Sequence, residues 1–153
     1  MKELAKNRKA GFDYELLEKF EAGVVLNGQE VKSIKTRGLS LTGSYIAVRP
    51  DGVFWVGAKI PPYQPANASA DYREQRNRAL LLRKAEIRQL NGLAAQKGLT
   101  FVPIRLYTKG RYQDFGKIKM EFAAARGKKK YDKRQTLKKR AIEREIAHTF
   151  SKI

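Results

Sequence analysis

The amino-acid sequence predicts an α+β domain: an antiparallel β-barrel with flanking helices, followed by a basic C-terminal arm. Three observations carry this. Two long runs alternate apolar and polar residues, Thr100–Tyr107 and Lys117–Ala125. Tight-turn residues separate several shorter β-like runs. The positive charge is also divided unevenly. Of 33 Lys+Arg and 15 Asp+Glu in 153 residues, net +18, residues 1–126 carry 23 basic and 12 acidic side chains, net +11. Residues 127–153 carry 10 and 3, net +7, with no aliphatic residue before Leu137. The expected organisation is a folded domain over 1–126 and an arm over 127–153.

Taken in order, Asp13 can N-cap a short helix over Tyr14–Phe20, with Leu16, Leu17 and Phe20 as its buried side. Val24–Leu26 and Gln29–Thr36 read as two strands joined at Asn27-Gly28, a hairpin signal. Ser44–Arg49 and Val53–Lys59 flank the Pro50-Asp51-Gly52 turn. The prolines and polar residues of Pro61–Asn67 exclude regular structure. Ala85–Lys97 reads as a helix with Ile87, Leu90 and Ala94 on one face and Gly98 as its stop. In the last strand Ile118, Met120, Phe122 and Ala124 share one face, and Lys117, Lys119, Glu121 and Ala123 the other. About six short strands with two or three helices favour a barrel, which removes exposed sheet edges; a sandwich is the alternative.

Composition excludes several functions. With no cysteine there is no disulfide, thiol nucleophile or zinc ribbon. Residues 1–20 hold no apolar signal-peptide core, and no run approaches the ~20 apolar residues of a membrane span. A soluble, cytoplasmic protein is expected. Catalysis finds little support. The single histidine, His148, lies in the basic arm, and Asp13, Glu15, Glu18, Glu21, Glu30, Asp51, Asp71 and Glu74 form no metal motif. Gly110, Gly116 and Gly127 do not have the spacing of a phosphate-cradling loop. Neither a cofactor nor a metal is expected.

The charge points to a nucleic acid. Arg73, Arg76, Arg78, Arg83, Lys84 and Arg88 surround Leu80-Leu81-Leu82; Lys32, Lys35 and Arg37 form a second cluster; Lys117 and Lys119 share a strand face. Cations that neutralise phosphates release counterions, so binding is expected to be steeply salt-dependent. Tyr14, Tyr45, Tyr63, Tyr72, Tyr107, Tyr112 and Tyr131 interleave with them, which favours RNA with unpaired bases. Tyr131, without apolar neighbours, is a stacking candidate. In the arm, Ile142, Ile146 and Phe150 recur at helical spacing among Lys138, Lys139, Arg140 and Arg144. Such an arm is expected to be disordered when free and helical along an anionic groove. The pattern also fits a membrane-surface helix, but the aliphatic stripe is thin for one.

Several segments form an ordered series over essentially the whole chain: Asn7-Arg8-Lys9-Ala10 with Phe12-Asp13-Tyr14, Glu21-Ala22-Gly23-Val24-Val25-Leu26, Gly28-Gln29-Glu30-Val31-Lys32-Ser33, Ser44-Tyr45, Arg78-Ala79-Leu80-Leu81-Leu82, Val102-Pro103-Ile104 and Gly127-Lys128-Lys129-Lys130-Tyr131-Asp132-Lys133-Arg134. Taken together they resemble the small protein B (SmpB) family of bacterial tmRNA-binding proteins. The resemblance implies an oligonucleotide-binding barrel that binds the tRNA-like domain of tmRNA and escorts it to stalled ribosomes. It also implies a tail that enters the decoding centre and the empty mRNA channel.

The implied partners are tmRNA, the ribosome with its small-subunit RNA, and elongation factor Tu accompanying aminoacylated tmRNA; no membrane is implied. The implied tmRNA-binding residues are Asn7, Tyr14, Glu21, Lys32, Arg78, Leu81, Lys117 and Lys119. Those of the tail are Gly127, Lys128, Lys129, Tyr131, Asp132, Lys133, Arg134, Lys138 and Arg140. Two departures stand out: Ala79 replaces a usual lysine, and Gly110–Gly116 is longer than usual. A constitutive ribosomal protein and an RNA-processing enzyme are the rival readings.

Overall fold

The computed structural model describes residues 1–68, 70–109, 117–128 and 130–151, with side-chain surroundings described for residues 133–148 of the last helix. The chain runs β1 (Lys2–Lys6), α1 (Ala10–Asp13), β2 (Tyr14–Val24), α2 (Gly28–Arg37), β3 (Tyr45–Arg49), β4 (Gly52–Val56), β5 (Arg78–Leu81), α3 (Lys84–Ala94), β6 (Leu99–Thr108), β7 (Ile118–Gly127) and α4 (Lys130–Ser151). The seven strands form one sheet in the order β1-β6-β7-β2-β5-β4-β3, and every pairing is antiparallel. The α+β antiparallel expectation is met, but the barrel is not closed. The sheet curls until β3 packs near β6, yet β1 and β3 remain its two edges.

Both long alternating runs are strands. Ile118, Met120, Phe122 and Ala124 of β7 are buried beneath the sheet. Phe20 of β2 faces Phe122 in register, the rings stacked at 5.5 Å. Trp55, wholly buried on β4, donates its indole N–H to Ser44 Oγ at 3.0 Å, so its polar edge is satisfied inside the core. The β3–β4 hairpin and α3 stand where the sequence places them. The proline-rich loop carries one short 3₁₀ turn, Pro65–Asn67.

Two expectations are overturned. The segment from Tyr14 onward is not a helix but the eleven-residue β2. Leu16, Leu17 and Phe20 satisfy helical spacing, but the burial alternates: Phe20 and Ala22 point inward while Lys19 and Glu21 point out. Pairing with β7 from Tyr14↔Gly127 to Gly23↔Lys119 supplies the backbone partners, an arrangement that local spacing does not reveal.

Nor is Asn27-Gly28 a hairpin turn. Asn27 caps α2: its side chain accepts the Glu30 N–H at 2.8 Å, and Glu30 accepts the Asn27 N–H at 3.0 Å. This reciprocal capping box starts a helix that buries Glu30, Ser33 and Ile34, one helical face. The short edge strand β1 and the strand β5 inside the arginine-rich cluster were not expected from the sequence.

Within the arm, Lys130–Ser151 form helix α4. Among the described residues, no helix is long and apolar enough to cross a membrane. The Gly110–Gly116 insertion and Lys129 lie outside the described residues.

Candidate nucleic-acid interface

The outward face of β2, β7 and β6 is a lattice of charge. Glu21 on β2 directly opposes Glu121 on β7, a like-charge pair that is unfavourable by itself. Each carboxylate therefore carries its own cations. Glu121 accepts from the Arg105 guanidinium at 3.0 Å and pairs with Lys19 at 3.8 Å. Glu21 accepts from Lys109 Nζ at 2.9 Å and from the Tyr107 hydroxyl, with Lys119 Nζ at 3.9 Å. The bonds from Lys109 and then Tyr107 hold the Glu21 carboxyl below the usual carboxylate range, against the opposing effect of burial. Desolvation, and then the bond to Glu21, push the Tyr107 phenol well above its ordinary value. Glu21 is thus an anion at neutral pH that fixes where two lysines and a tyrosine stand.

Beside this cluster lies a shallow depression of about 420 Å³ formed by Glu21, Gly23, Leu81, Leu82, Arg83, Glu86 and Lys119. Leu81 is 65% exposed at its rim. A side chain at Gly23 would place its Cβ 3.6 Å from the Leu81 Cβ and cover it. The surface therefore offers an apolar platform, a fixed carboxylate acceptor and the lysines it holds. That mixture can read a folded RNA through its phosphates and one exposed base face. Glu21, Leu81 and Lys119, far apart in sequence, meet here. Lys117 is exposed just before β7.

Other candidates stand elsewhere. Asn7 and Tyr14 line a second depression, of about 400 Å³, with Lys9, Asp13 and Tyr45. Tyr14 begins β2, so at ~3.3 Å per residue it is about 23 Å along the strand from Glu21. Asn7 donates to Pro103 O at 3.0 Å. Lys32, on α2, stands over the Tyr63 ring, 5.9 Å from its centre, and lines a third hollow.

Arg78 is a correction. Its side chain is wholly buried and saturated: it donates to Glu30 Oε2 at 2.7 Å, to Ala58 O at 2.8 Å and to Glu74 O at 2.8 Å. It has no exposed atoms for RNA; it holds the core. Its neighbour Arg76, 38% exposed, holds the other Glu30 oxygen. Burial removes this one cation of the cluster from the surface, while Arg73, Arg83, Lys84 and Arg88 stay exposed.

At the tail, Gly127 ends β7 opposite Tyr14. Lys128 donates its N–H to Asp13 O at 2.9 Å and its ammonium to Gly11 O at 3.0 Å. Lys133 pairs with Asp13 at 3.4 Å. Arg134, Lys138 and Arg140 are exposed on α4. Tyr131 and Asp132 lie in the first turn of α4, and their side chains fall outside the described residues. Sequence reasoning did not single out Lys109, or Asp13 as a partner of the tail; both act through strand pairing, which no local motif encodes. Among the described residues, no group of three or more His, Asp and Glu side chains could hold a metal ion.

A family model described as SmpB protein matches residues 4–152. The chain belongs to the SmpB family. An SsrA-binding protein of Magnetococcus marinus is 45% identical over 142 residues, covering 93% of this chain and 91% of that protein. One from Sulfurihydrogenibium sp. is 45% identical over 150 residues, covering 97% and 94%. A solved chain described as "tmRNA-SmpB: a journey to the center of the bacterial ribosome" superposes with a TM-score of 0.65 at 40% identity, covering 82% of this chain and 84% of that one. The curled antiparallel sheet is therefore a fold this chain shares with that SmpB chain.

Proposed function

We propose that this chain binds the tRNA-like domain of tmRNA and delivers it to stalled ribosomes, with the C-terminal helix reaching the decoding centre and the empty mRNA channel. The observation that carries the RNA-contact assignment is the meeting of Glu21, Leu81 and Lys119 at one depression. A flat RNA elbow lays its phosphates against Lys119, Lys109 and Lys117, and Leu81 packs on the exposed face of an unstacked base. Glu21 holds the lysines in place and remains available as an acceptor for base-edge donors. Asn7 and Tyr14, which line a depression at the other end of β2, extend the tmRNA contact along the strand.

The arm supplies the second contact. Leu137, Ile142 and Ile146 of α4 are each at least half exposed. Its outer turns are ordered by the ribosome and not by the body, and Tyr131 stacks on a ribosomal RNA base. Elongation factor Tu arrives with the aminoacylated tmRNA. The chain itself contributes binding and no catalysis, and it acts in the cytoplasm.

Recovery of the protein from cells, with sequencing of the RNA it holds, tests this reading. One dominant long RNA with tRNA-like ends is expected. Recovery of bulk ribosomal RNA alone, at one copy of protein per ribosome, overturns it in favour of a constitutive ribosomal protein.

A further inference from the structure

Two adjoining hollows lie where α2 meets the proline-rich loop. One, of about 380 Å³, is bounded by Gly28, Gln29 and Lys32 of α2 with Tyr63, Gln64 and Asn67 of the loop. The other, of about 470 Å³, is bounded by Gly28 and Gln29 with Tyr72, Arg73 and Arg76. Gly28 and Gln29 belong to both, so the two make one groove. Its walls are held from behind. Ser33 donates its hydroxyl to Pro61 O at 2.6 Å, and Tyr72 donates its own to Ile60 O at 2.8 Å. Lys32 Nζ stands 5.9 Å from the centre of the Tyr63 ring. Lys32, Arg73 and Arg76 line the groove against one carboxylate, Asp71. Arg76 and Arg78 share the single carboxylate of Glu30, which leaves one positive charge in excess beside the groove. Gln29 Oε1 is covered and has no hydrogen-bond partner among the described residues, so a small turn of its amide toward a donor in the groove would satisfy it.

We propose that this groove is a further RNA subsite, holding one unstacked nucleotide of the same tRNA-like domain that rests on the Glu21 depression. This rests on the functional reading above and extends it. Tyr63 supplies a ring on which a base stacks. The side-chain amides of Gln29, Gln64 and Asn67 supply donors and acceptors for the base edge, and Lys32 and Arg73 take the flanking phosphates. Continuity with the Glu21 depression selects the occupant. Asn27, at the groove, lies six residues beyond Glu21, roughly 20 Å in extended backbone. Val25, 41% exposed, lies between them, and Arg76 reaches back to Val25 O at 3.4 Å. An RNA strand leaving Leu81 therefore passes over Val25 into the groove. Where the two hollows meet, a Cβ on Gly28 would touch nothing within 4 Å, so the backbone there leaves room for a bound group.

Filter binding of the full chain to a transcript of the tRNA-like domain tests this, with thermal unfolding of each variant read alongside. Gly28→Phe fills the groove without changing charge. Tyr63→Ala removes the ring, and Tyr63→Trp keeps one. Arg73→Glu reverses a groove cation, and Lys97→Glu makes the same change of charge at an exposed position outside the groove. Trp55 is wholly buried, so the added emission of Tyr63→Trp reports the groove itself.

Affinity is expected to fall about fivefold or more in Gly28→Phe, Tyr63→Ala and Arg73→Glu, and to stay within about twofold in Tyr63→Trp and Lys97→Glu. The emission of Tyr63→Trp should be quenched as the RNA is added. Should Gly28→Phe fail to fold, Tyr63→Ala and the quenching decide. Unchanged affinity in Tyr63→Ala and no quenching in Tyr63→Trp, with Lys119→Glu still weakening binding, overturn the subsite and leave the functional reading standing. Equal losses in Arg73→Glu and Lys97→Glu reduce the effect to net charge and overturn it as well. Loss of binding to purified ribosomes, with intact affinity for the tRNA-like domain, assigns the groove to ribosomal RNA and overturns the occupant. A starting chain that does not bind the tRNA-like domain overturns the functional reading, and the subsite with it.

Discussion

Arg78 and Glu30 form a wholly buried ion pair, with the Arg78 Nε–H bonded to Glu30 Oε2 at 2.7 Å. The pair links β5 to the N-terminus of α2. The Arg78 guanidinium also lies 5.9 Å from the centre of the Trp55 ring, so one cation joins the helix cap, the sheet and the aromatic core. Arg78→Ala leaves the Glu30 charge buried with only Arg76 and the Asn27 N–H, and is expected to cost about 3–5 kcal/mol. Urea unfolding measures this. Arg76→Ala, at a partly exposed position, is expected to cost less. A loss under 1 kcal/mol for Arg78→Ala would show that the pair is not structural.

Glu30 also sets an acid limit. Burial works to raise its pKa, but bonds from Arg76, the Asn27 backbone and Arg78 prevail and hold it below the ordinary value of 4.5. A depressed folded-state pKa contributes stability that is present above the unfolded carboxyl value. That stability is lost as pH falls through the folded one. The protein is therefore expected to lose stability as pH drops from about 4.5. Glu30→Gln starts lower at pH 7 and lacks this part of the decline, so the gap between the two urea midpoints is expected to narrow as pH falls below the ordinary carboxyl value. Parallel curves would contradict the assignment.

Gly28 distinguishes a helix start from a hairpin turn. A type I′ turn would need a left-handed backbone there, and alanine would be strained. As the first residue of α2 it has open space around a Cβ. Gly28→Ala is expected to raise stability by about 0.4–1 kcal/mol, read as a higher melting temperature.

On the RNA face, Lys119→Glu is expected to weaken binding of the tRNA-like domain at least tenfold. Lys119→Ala should reduce the slope of log affinity against log salt by about one. Leu81→Ala, at a 65% exposed position, is expected to leave stability within about 0.5 kcal/mol and still weaken binding. Filter binding at several salt concentrations checks all three. Unchanged affinities would place the RNA surface elsewhere.

Removal of residues 128–153 separates the two contacts. Affinity for tmRNA is expected to stay nearly intact, because the Glu21 depression contains no arm residue. Tagging of stalled peptides should be abolished. A large loss of affinity would mean that the arm belongs to the tmRNA contact.

Much of this molecule can be read without coordinates, and the boundary falls at identifiable residues. Strict alternation in Lys117–Ala125 determines a strand, because only a period of two buries Ile118, Met120 and Phe122 together. The uneven charge separates body from arm, and the ordered motifs carry the family. Tertiary structure decided the rest. Leu16, Leu17 and Phe20 fit a helix as well as a strand, and the choice was made by β7, which offers β2 a ladder of backbone partners about a hundred residues away. Asn27-Gly28 fits a turn as well as a cap, and Glu30, buried against Arg78, chose the cap. Arginines at 73, 76 and 78 look alike in composition, but strand register turned Arg78 inward. Glu21 gains its meaning from Tyr107 and Lys109, and Asp13 from Lys128 and Lys133. Local sequence sets period and charge; which side chains share a surface is set by strand pairing between distant segments, and the proposed RNA contact at Glu21, Leu81 and Lys119 depends on it.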